Sequence, residues 1–179
     1  MRADNDLLAD LGTCQLWVGN PLSAFDIHTD DHVLEVRAAS PQEVTRRGVE
    51  RPDDAGLAGD AREVVAGTGK QASFRPQEGP GLETALNSPW ALEADGYFLH
   101  IAMAGSHQLW TLDTDSGDLR HLAGSGRENI VDGPSRTAQL AQPSGLSRLG
   151  RQLYFADSEV SAIRVVDLEK SLVSSLVGS

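Results

Sequence analysis

Two histidines and two aspartates occur within five residues, in the segment His-Thr-Asp-Asp-His at positions 28–32. Imidazole and carboxylate groups are ligands that zinc and other transition metals use in proteins. Alternate residues of a strand share one face, so positions 28, 30 and 32 would point the same way in an extended segment. The same composition is typical of a solvated turn. We favour the turn and assign no metal site.

Two glycine-rich segments, Gly67–Lys70 and Gly124–Arg127, resemble loops that bind phosphate. A P-loop requires the pattern Gly-x-x-x-x-Gly-Lys-Ser/Thr with a helix directly after it. Val64 stands where the first glycine should be, Gln71 stands where the hydroxyl residue should be, and no helical pattern follows. Both segments are therefore predicted to be turns in which glycine supplies a positive φ.

The segment Asp-Thr-Asp-Ser-Gly-Asp at positions 113–118 resembles the start of a calcium-binding loop. An EF-hand loop needs glycine at its sixth position and a bidentate acid at its twelfth. Here the glycine, Gly117, is fifth, and the twelfth residue is Gly124. Tight hairpin turns also select aspartate and glycine, so a hairpin between two strands is the favoured interpretation.

No pairing of a nucleophile with a base stands out in the sequence. The Gly-x-Ser-x-Gly elbow of hydrolases does not occur, and no trio of Ser, His and Asp can be assigned. The single cysteine, Cys14, excludes an internal disulfide and a Cys-x-x-Cys redox pair within this chain. We therefore assign no catalytic residue, no metal and no cofactor.

The net charge of −11 comes from 26 acidic and 15 basic residues. Such a surface repels phosphate backbones and anionic lipid, which argues against nucleic acid and membranes as partners. No apolar run approaches the roughly 18 residues of a membrane helix, and the N-terminus has no apolar signal core. We expect a protein or peptide partner, and a cytoplasmic location in preference to secretion.

An internal repeat reveals the elements that must position these residues. Landmarks in the second half of the chain recur at one fixed offset of 54 positions, as from residue 89 to residue 143. Self-similarity at a fixed period is the sequence signature of repeat folds. The matched pairs are Gly79 and Gly133, Pro89 and Pro143, Ala102 and Ala156, Trp110 and Arg164, Asp113 and Asp167, and Gly124 and Gly178.

Each copy contains four short segments whose composition and period of two predict strands. Four short strands in a unit of about 40–50 residues are typical of a β-propeller blade. No useful window shows the 3.6-residue apolar period of a helix, so the sequence predicts an all-β fold. The predicted strands are 90–92, 97–102, 108–112 and 119–122 in the first copy, and 142–146, 152–156, 162–167 and 172–177 in the second.

A degenerate third copy precedes these two. Residues 25–36 have the outline of two strands joined by a short turn, and residues 63–67 resemble a closing strand. The charge-rich, Pro- and Gly-rich segment between them is typical of an insertion or a disordered loop. We therefore divide the chain into an unassigned segment at 1–24, a degenerate blade at 25–66 with the insertion at 39–61, and blades at 67–123 and 124–179. Because propellers typically close with 4–8 blades, the prediction is a partial β-propeller and a fragment of a longer protein.

Several short sequence motifs of the repeat resemble those of the NHL-repeat β-propeller family. They are Leu86–Trp90, Ile101–Trp110, Leu122–Gly126, Ala141–Leu146 and Phe155–Glu159. The resemblance covers roughly residues 64–179. The relatives it points to combine a thioredoxin-like domain with a six-bladed NHL propeller, and it implies that the propeller interacts with other macromolecules. Residues 1–24 are too few for a thioredoxin-like domain, so a redox role would belong to sequence outside this chain.

These observations predict a non-catalytic interaction or scaffold module. We expect blade loops to bind the partner, with Met103, His107, Asp157 and Arg164 as the first candidates, although His107 is also explained as a turn residue at the top of a strand. Two alternatives stay open. The chain could be part of a propeller enzyme, a metal-assisted hydrolase or lyase whose ligands lie in other blades. It could also be the propeller arm of a thiol-disulfide oxidoreductase, which an upstream Cys-x-x-Cys would support.

Overall fold

The computed structural model describes residues 25–30, 33–38, 62–73 and 77–178, with side chains from Val64 onward. Every regular element longer than three residues in this part is a β-strand, so the all-β prediction is confirmed. The strands are β1 (Phe25–Asp30), β2 (Val33–Ala38), β3 (Arg62–Ala66), β4 (Gly79–Pro80), β5 (Pro89–Asp95), β6 (Phe98–Met103), β7 (Gln108–Asp113), β8 (Asp118–Ala123), β9 (Gly133–Pro134), β10 (Pro143–Leu149), β11 (Gln152–Asp157), β12 (Ala162–Asp167) and β13 (Leu172–Val177). Three-residue 3-10 turns lie at Gly81–Glu83, Ala104–Ser106 and Ser158–Val160.

The strands form three antiparallel sheets with the orders β1-β2-β3, β5-β6-β7-β8-β4 and β10-β11-β12-β13-β9. In the second and third sheets four consecutive strands are joined by hairpins, as the repeat predicted. The fifth strand, β4 or β9, was not predicted. It comes from the segment that enters the blade, and it pairs with the blade's last strand. Two residues are too few to show a period of two, so no pattern in the sequence marks this strand.

The backbone repeats together with the strands. Gly96 and Gly150, with φ of 63° and 61°, turn the first hairpin of each blade. His107 and Ser161, with φ of 54° and 50°, close the 3-10 turns that follow the second strands. Positive φ is uncommon outside glycine, so its recurrence 54 residues later shows that the two blades share their turn geometry as well as their sequence.

Two of the motifs that suggested ligand binding are turns. Gly67, Gly69, Gly124 and Gly126 all have positive φ, between 70° and 95°, which confirms the predicted turns between blades. In the acidic segment at 113–118, Asp113 Oδ1 accepts the backbone N–H groups of Asp115 and Ser116, at 3.0 and 3.2 Å. These hydrogen bonds hold the pKa of Asp113 below its ordinary value. The predicted hairpin between β7 and β8 is confirmed.

The segments upstream are described in part. Strands β1, β2 and β3 form the sheet predicted for the degenerate first blade. The side chains of the segment at 28–32 lie outside the described residues, as do the segment at 1–24 and the insertion at 39–61. Within the described part, no helix is long and apolar enough to span a bilayer.

Two apolar clusters hold the sheets face to face, and we call the contacts between them seams. The first seam, between the first and second sheets, buries Ala66 against a set that includes Leu99 and Ile101. The second seam, between the second and third sheets, buries Ala102 against a set that includes Phe155. Successive residues of β6 therefore face opposite seams, as alternation along a strand requires.

The far face of the third sheet has no covering sheet in the described part of the chain. Ile163 and Val177 on this face are 45% and 68% exposed. Their equivalents in the second sheet, Leu109 and Ala123, are fully buried in the second seam. The same face of the blade is thus core in one copy and open surface in the next.

Candidate functional site

The four side chains predicted to contact a ligand are buried. Met103 and Asp157 end the second strands of their blades, His107 follows a 3-10 turn, and Arg164 lies in β12. Met103, Asp157 and Arg164 have no exposed area, and His107 is 7% exposed. A direct role in binding stays a prediction for these residues, and their contacts show what they hold in place.

Arg164 is the centre of a charged network in the second seam. One terminal nitrogen donates to Asp157 Oδ2 and to the carbonyl of Gln139, both at 2.7 Å. The other donates to Asp132 Oδ1 and to the carbonyl of Val131, both at 3.0 Å. Two carboxylates and two carbonyls therefore hold one fully buried guanidinium, which also lies 5.7 Å from the centre of the Phe155 ring.

The two carboxylates extend the network to other strands. Asp157 Oδ1 accepts the backbone N–H of Ala141 at 2.7 Å, which ties β11 to the segment that enters the blade. Burial raises the pKa of Asp157, and the bonds from Arg164 and Ala141 oppose that effect. Asp132 accepts the N–H and the hydroxyl of Ser175 at 2.8 and 2.9 Å. Burial favours a higher pKa for Asp132, but these bonds and Arg164 outweigh it and hold the pKa below its ordinary value.

The equivalent positions in the first copy are uncharged. Met103 and Trp110 stand 54 residues before Asp157 and Arg164, and both are buried in the first seam. Trp110 Nε1 donates to Gln108 Oε1 at 3.2 Å, so its one polar group is satisfied. One blade thus uses an apolar pair where the other uses an ion pair.

His107 joins the second and third sheets. Its Nδ1 accepts the backbone N–H of Gln142 at 3.2 Å, and its Nε2 lies 3.8 Å from Glu128 Oε2. The histidine is near enough to Asp157 to interact with it electrostatically. The structure therefore brings three of the four predicted residues together at the second seam and places Met103 at the first.

Trp90 is a large exposed residue at this end of the blades that was not among the predicted contacts. It lies between Pro89, which pairs with Met103, and Ala91, which pairs with Ala102, so it is the extra residue of a β-bulge. Bulges re-aim side chains and are frequent beside functional sites. Trp90 is 48% exposed although it belongs to β5, which packs against β10 of the next blade. A bulge interrupts the period-two pattern of the strand, so the dipeptide Pro89-Trp90 is the only local sequence feature that could have indicated it.

A second polar group lies in the second seam toward the hairpin ends of the blades. His100 is 5% exposed, its Nδ1 lies 2.9 Å from Thr111 Oγ1, and burial lowers its pKa to about 4. Glu93 pairs with His100 across the strands and accepts the backbone N–H of Arg148 at 3.0 Å. Arg148 also contacts Asp95 at 3.0 Å. Burial raises the pKa of Glu93.

Both polar groups bind the sheets to each other. Among the described residues, no three His, Cys, Asp or Glu side chains are placed to hold a metal ion. The charged side chains of the second seam instead form hydrogen bonds with neighbouring strands and with each other. This arrangement fixes the blades relative to one another and leaves Trp90, like Ile163 and Val177, among the large apolar side chains that a partner can reach at this end.

Comparisons with known proteins agree with the repeat. No family model matches the chain. It is 37% identical over 139 residues to NHL repeat-containing protein 2 of Homo sapiens, which covers 64% of this chain and 19% of that protein. It is 39% identical over 113 residues to the chloroplastic Protein SUPPRESSOR OF QUENCHING 1 of Arabidopsis thaliana, which covers 60% of this chain and 11% of that protein. The chain thus spans less than a fifth of the length of these relatives.

Solved structures support the fold. A protein of unknown function from Bacteroides thetaiotaomicron matches with a TM-score of 0.63 at 18% identity, over 88% of this chain and 35% of that one. An auxiliary nutrient binding protein from Bacteroides ovatus matches with a TM-score of 0.56 at 16% identity, over 93% of this chain and 37% of that one. Together with the solved structures, the repeated blades identify the fold as that of β-propeller blades, and the sequence is similar to NHL repeat-containing protein 2 over 64% of the chain.

Proposed function

We propose that this chain is a non-catalytic interaction module of NHL type, which binds a protein or peptide at the end of the blades that carries the 3-10 turns. The observation that supports the proposal best is the exposure of Trp90 on a bulge of the first strand of its blade. Tryptophan is enriched among the residues that dominate binding energy at protein interfaces. A large aromatic group held outward by backbone geometry is suited to such a role.

The segment around Trp90 is firmly held, which lowers the entropic cost of binding. Ser88, with φ of 52°, turns the chain directly before β5, and its carbonyl accepts the N–H of Ala104 at 2.9 Å. Asn87 Nδ2 donates to the carbonyl of Gly105 at 3.2 Å. A Cβ at position 105 would collide with the Asn87 side chain, so glycine allows this close approach. The loop before Trp90 and the 3-10 turn beside it therefore form one packed unit.

Truncating Trp90 is expected to remove most of the binding. Peptides selected from a displayed library of random 12-residue sequences against the chain should lose affinity by at least 30-fold on Trp90→Ala, since a hot spot contributes about 2 kcal/mol or more. Tyr97→Ala is the matched control, because Tyr97 is 62% exposed but lies in the hairpin at the other end of the blade. Library selection that enriches no peptide, or equal affinity of the Trp90→Ala and Tyr97→Ala variants, would contradict the proposal.

The open face of the third sheet supports a second part of the proposal, that further blades of a longer NHL protein cover it. Ile163 and Val177 are exposed at positions whose equivalents, Leu109 and Ala123, are core. Large exposed apolar patches mark interaction surfaces or aggregation sites. The face is therefore suited to another blade rather than to water.

The 179-residue chain alone is accordingly expected to self-associate. Sedimentation velocity at micromolar concentration should show oligomers or aggregates. The double variant Ile163→Glu/Val177→Glu should shift the distribution toward monomer, because a buried carboxylate is costly. Leu82→Glu serves as the control, since Leu82 is 59% exposed on another surface. A monomeric wild-type chain with one sharp calorimetric transition would count against the open-face argument.

A further inference from the structure

We propose that the open face of the third sheet accepts a β-propeller blade that is uncharged at the place where the third sheet itself presents Arg148 to the second seam. The inference rests on the proposed function, because it takes a blade as the covering element, and it adds the chemistry by which that blade is recognised. Ile163 and Val177 lie on this face toward the end with the 3-10 turns, and Leu149, which is 73% exposed, lies on it at the hairpin end.

The second seam shows how one blade receives the next at the hairpin end. Glu93 Oε1 accepts the backbone N–H of Arg148 at 3.0 Å, and Asp95 Oδ1 lies 3.0 Å from the Arg148 guanidinium. Two carboxylates of the second sheet therefore recognise one arginine of the third. The arginine side chain is only 26% exposed. An arginine held there without the carboxylates would lose solvent and gain no countercharge.

The open face repeats this geometry without the carboxylates. Ser147 and Leu149 stand 54 residues after Glu93 and Asp95. The pairing of their strand with the next one has the same register as in the second sheet, including the bulge near its start. Because Arg148 lies between them and faces the second seam, both side chains face the open side. A serine and a leucine thus occupy the places of the two carboxylates.

The remainder of the open face is also almost without charge. Of the described residues in β10 to β13 whose side chains alternate onto this face, Asp167 alone is charged. Its carboxylate is engaged within its own hairpin, where Oδ1 accepts the backbone N–H groups of Glu169 and Lys170 at 3.1 and 2.9 Å. A cation brought to the hairpin end of this face would therefore meet no free carboxylate of the third sheet.

Backbone geometry favours a blade as the covering element. Directly after the last hairpin strand of the first and second sheets, a glycine N–H donates to the segment that enters the next blade. Gly67 donates to the carbonyl of Gly81 at 2.9 Å, and Gly124 donates to that of Ser135 at 2.8 Å. Gly178 follows the last strand of the third sheet with φ of 99°, against 95° and 93° at the other two glycines. The third sheet thus has the conformation that receives an entering segment at both described seams.

A thermodynamic cycle in the 179-residue chain tests the recognition chemistry without any added blade. Arg148→Leu alone should lower the equilibrium constant for folding about tenfold, because it leaves Glu93 and Asp95 facing a leucine. Glu93→Ser/Asp95→Leu gives the second sheet the residues of the open face. In that background Arg148→Leu should instead raise the constant about threefold, since the arginine has lost its countercharges. Urea unfolding followed by circular dichroism measures both effects. An effect of the same sign and size in both backgrounds would overturn the inference.

An added blade tests the occupant of the face. A second copy of residues 125–178, joined directly after Gly178, keeps the 54-residue offset and places a blade where it can cover the third sheet. One form keeps arginine at the copy's equivalent of Arg148, and the other carries leucine there. Ser147→Glu/Leu149→Asp in the original third sheet supplies the matched reversal, because it recreates the two carboxylates of the second sheet.

Covering of the face is measured as the rate at which a maleimide modifies Ile163→Cys in the original third sheet, with Cys14→Ser as background. Mass spectrometry at nanomolar protein concentration follows the reaction. The copy with leucine should slow modification about tenfold and the copy with arginine about twofold or less, since an unpaired charge at the contact opposes docking. Ser147→Glu/Leu149→Asp should reverse that preference. A cysteine in place of Leu82, on another surface, should react equally in every form.

The possible failures are distinguishable. Equal slowing by the two copies would overturn the inference and leave a blade as the covering element. Unchanged modification with both copies would contradict the proposed covering of the face by a further blade, and the inference with it.

Discussion

Replacing Arg164 with tryptophan is expected to lower the free energy of unfolding by about 3–5 kcal/mol, the cost typical of breaking a buried ion pair by removing one partner. The substitution leaves the carboxylate of Asp157 fully buried without its countercharge. It also removes the side-chain donor to the carbonyl of Gln139 and one of the two donors to the carbonyl of Val131. Urea unfolding followed by far-UV circular dichroism measures the loss without interference from the added indole.

Changing the partner as well should restore most of that stability. The pair Asp157→Met/Arg164→Trp copies Met103 and Trp110, which occupy the same places in the other blade. Adding Ala162→Gln supplies the acceptor that Gln108 provides for the Trp110 indole. We expect the triple variant to recover more than half of the lost free energy, because replacing a buried ion pair by a well-packed apolar pair is often neutral.

An exposed ion pair provides the comparison. Arg120 contacts Asp118 at 3.2 Å with both side chains largely in solvent. Arg120→Ala should change the free energy of unfolding by about 0.5 kcal/mol or less. If Arg164→Trp cost no more than Arg120→Ala, or if the triple variant were as unstable as the single one, the ion pair would not be what holds the second seam.

The sequence predicted the strands well because hairpins and period-two patterns are local. Strands β12 and β13 have the bounds expected from residues 162–167 and 172–177, and other strands differ by a few residues at their ends. The fixed offset also matched Trp110 with Arg164. The offset did not show that the apolar pair Met103 and Trp110 is replaced as a unit by the ion pair Asp157 and Arg164. The two members of each pair lie on adjacent strands and meet only in the folded blade, where both face one seam.

The candidate site was less accessible to sequence reasoning for a related reason. Residues at the ends of strands were expected in exposed loops, whereas 3-10 turns and the neighbouring blade bury His107 and Asp157. Trp90 was taken as part of a mostly apolar first strand. Its exposure depends on a bulge, and a bulge is set by how two strands pair rather than by the residues of one strand.

Acidification from pH 6.5 to pH 4 is expected to remove about 3 kcal/mol of stability through His100 alone. Burial lowers the pKa of this imidazole to about 4 in the folded chain, against 6.5 when unfolded. Between these values the unfolded state binds a proton that the folded state does not. His100 therefore takes nothing from stability well above pH 6.5, and it lowers the free energy of unfolding progressively as the pH falls toward 4. Chemical unfolding at half-unit pH steps would measure it.

Removing the imidazole should flatten that profile whatever it does to stability at neutral pH. In His100→Leu the slope of unfolding free energy against pH between 4 and 6.5 should fall by the His100 share, because leucine takes up no proton. Carboxylates with lowered pKa, such as Asp132, act mainly near and below pH 4, and because both proteins contain them their effect cancels in the comparison. His121→Gln should flatten the slope less, since His121 is only partly buried. An unchanged slope in His100→Leu would mean that the seam admits a proton at His100 without cost, and burial of that imidazole would then not be what couples the second seam to pH.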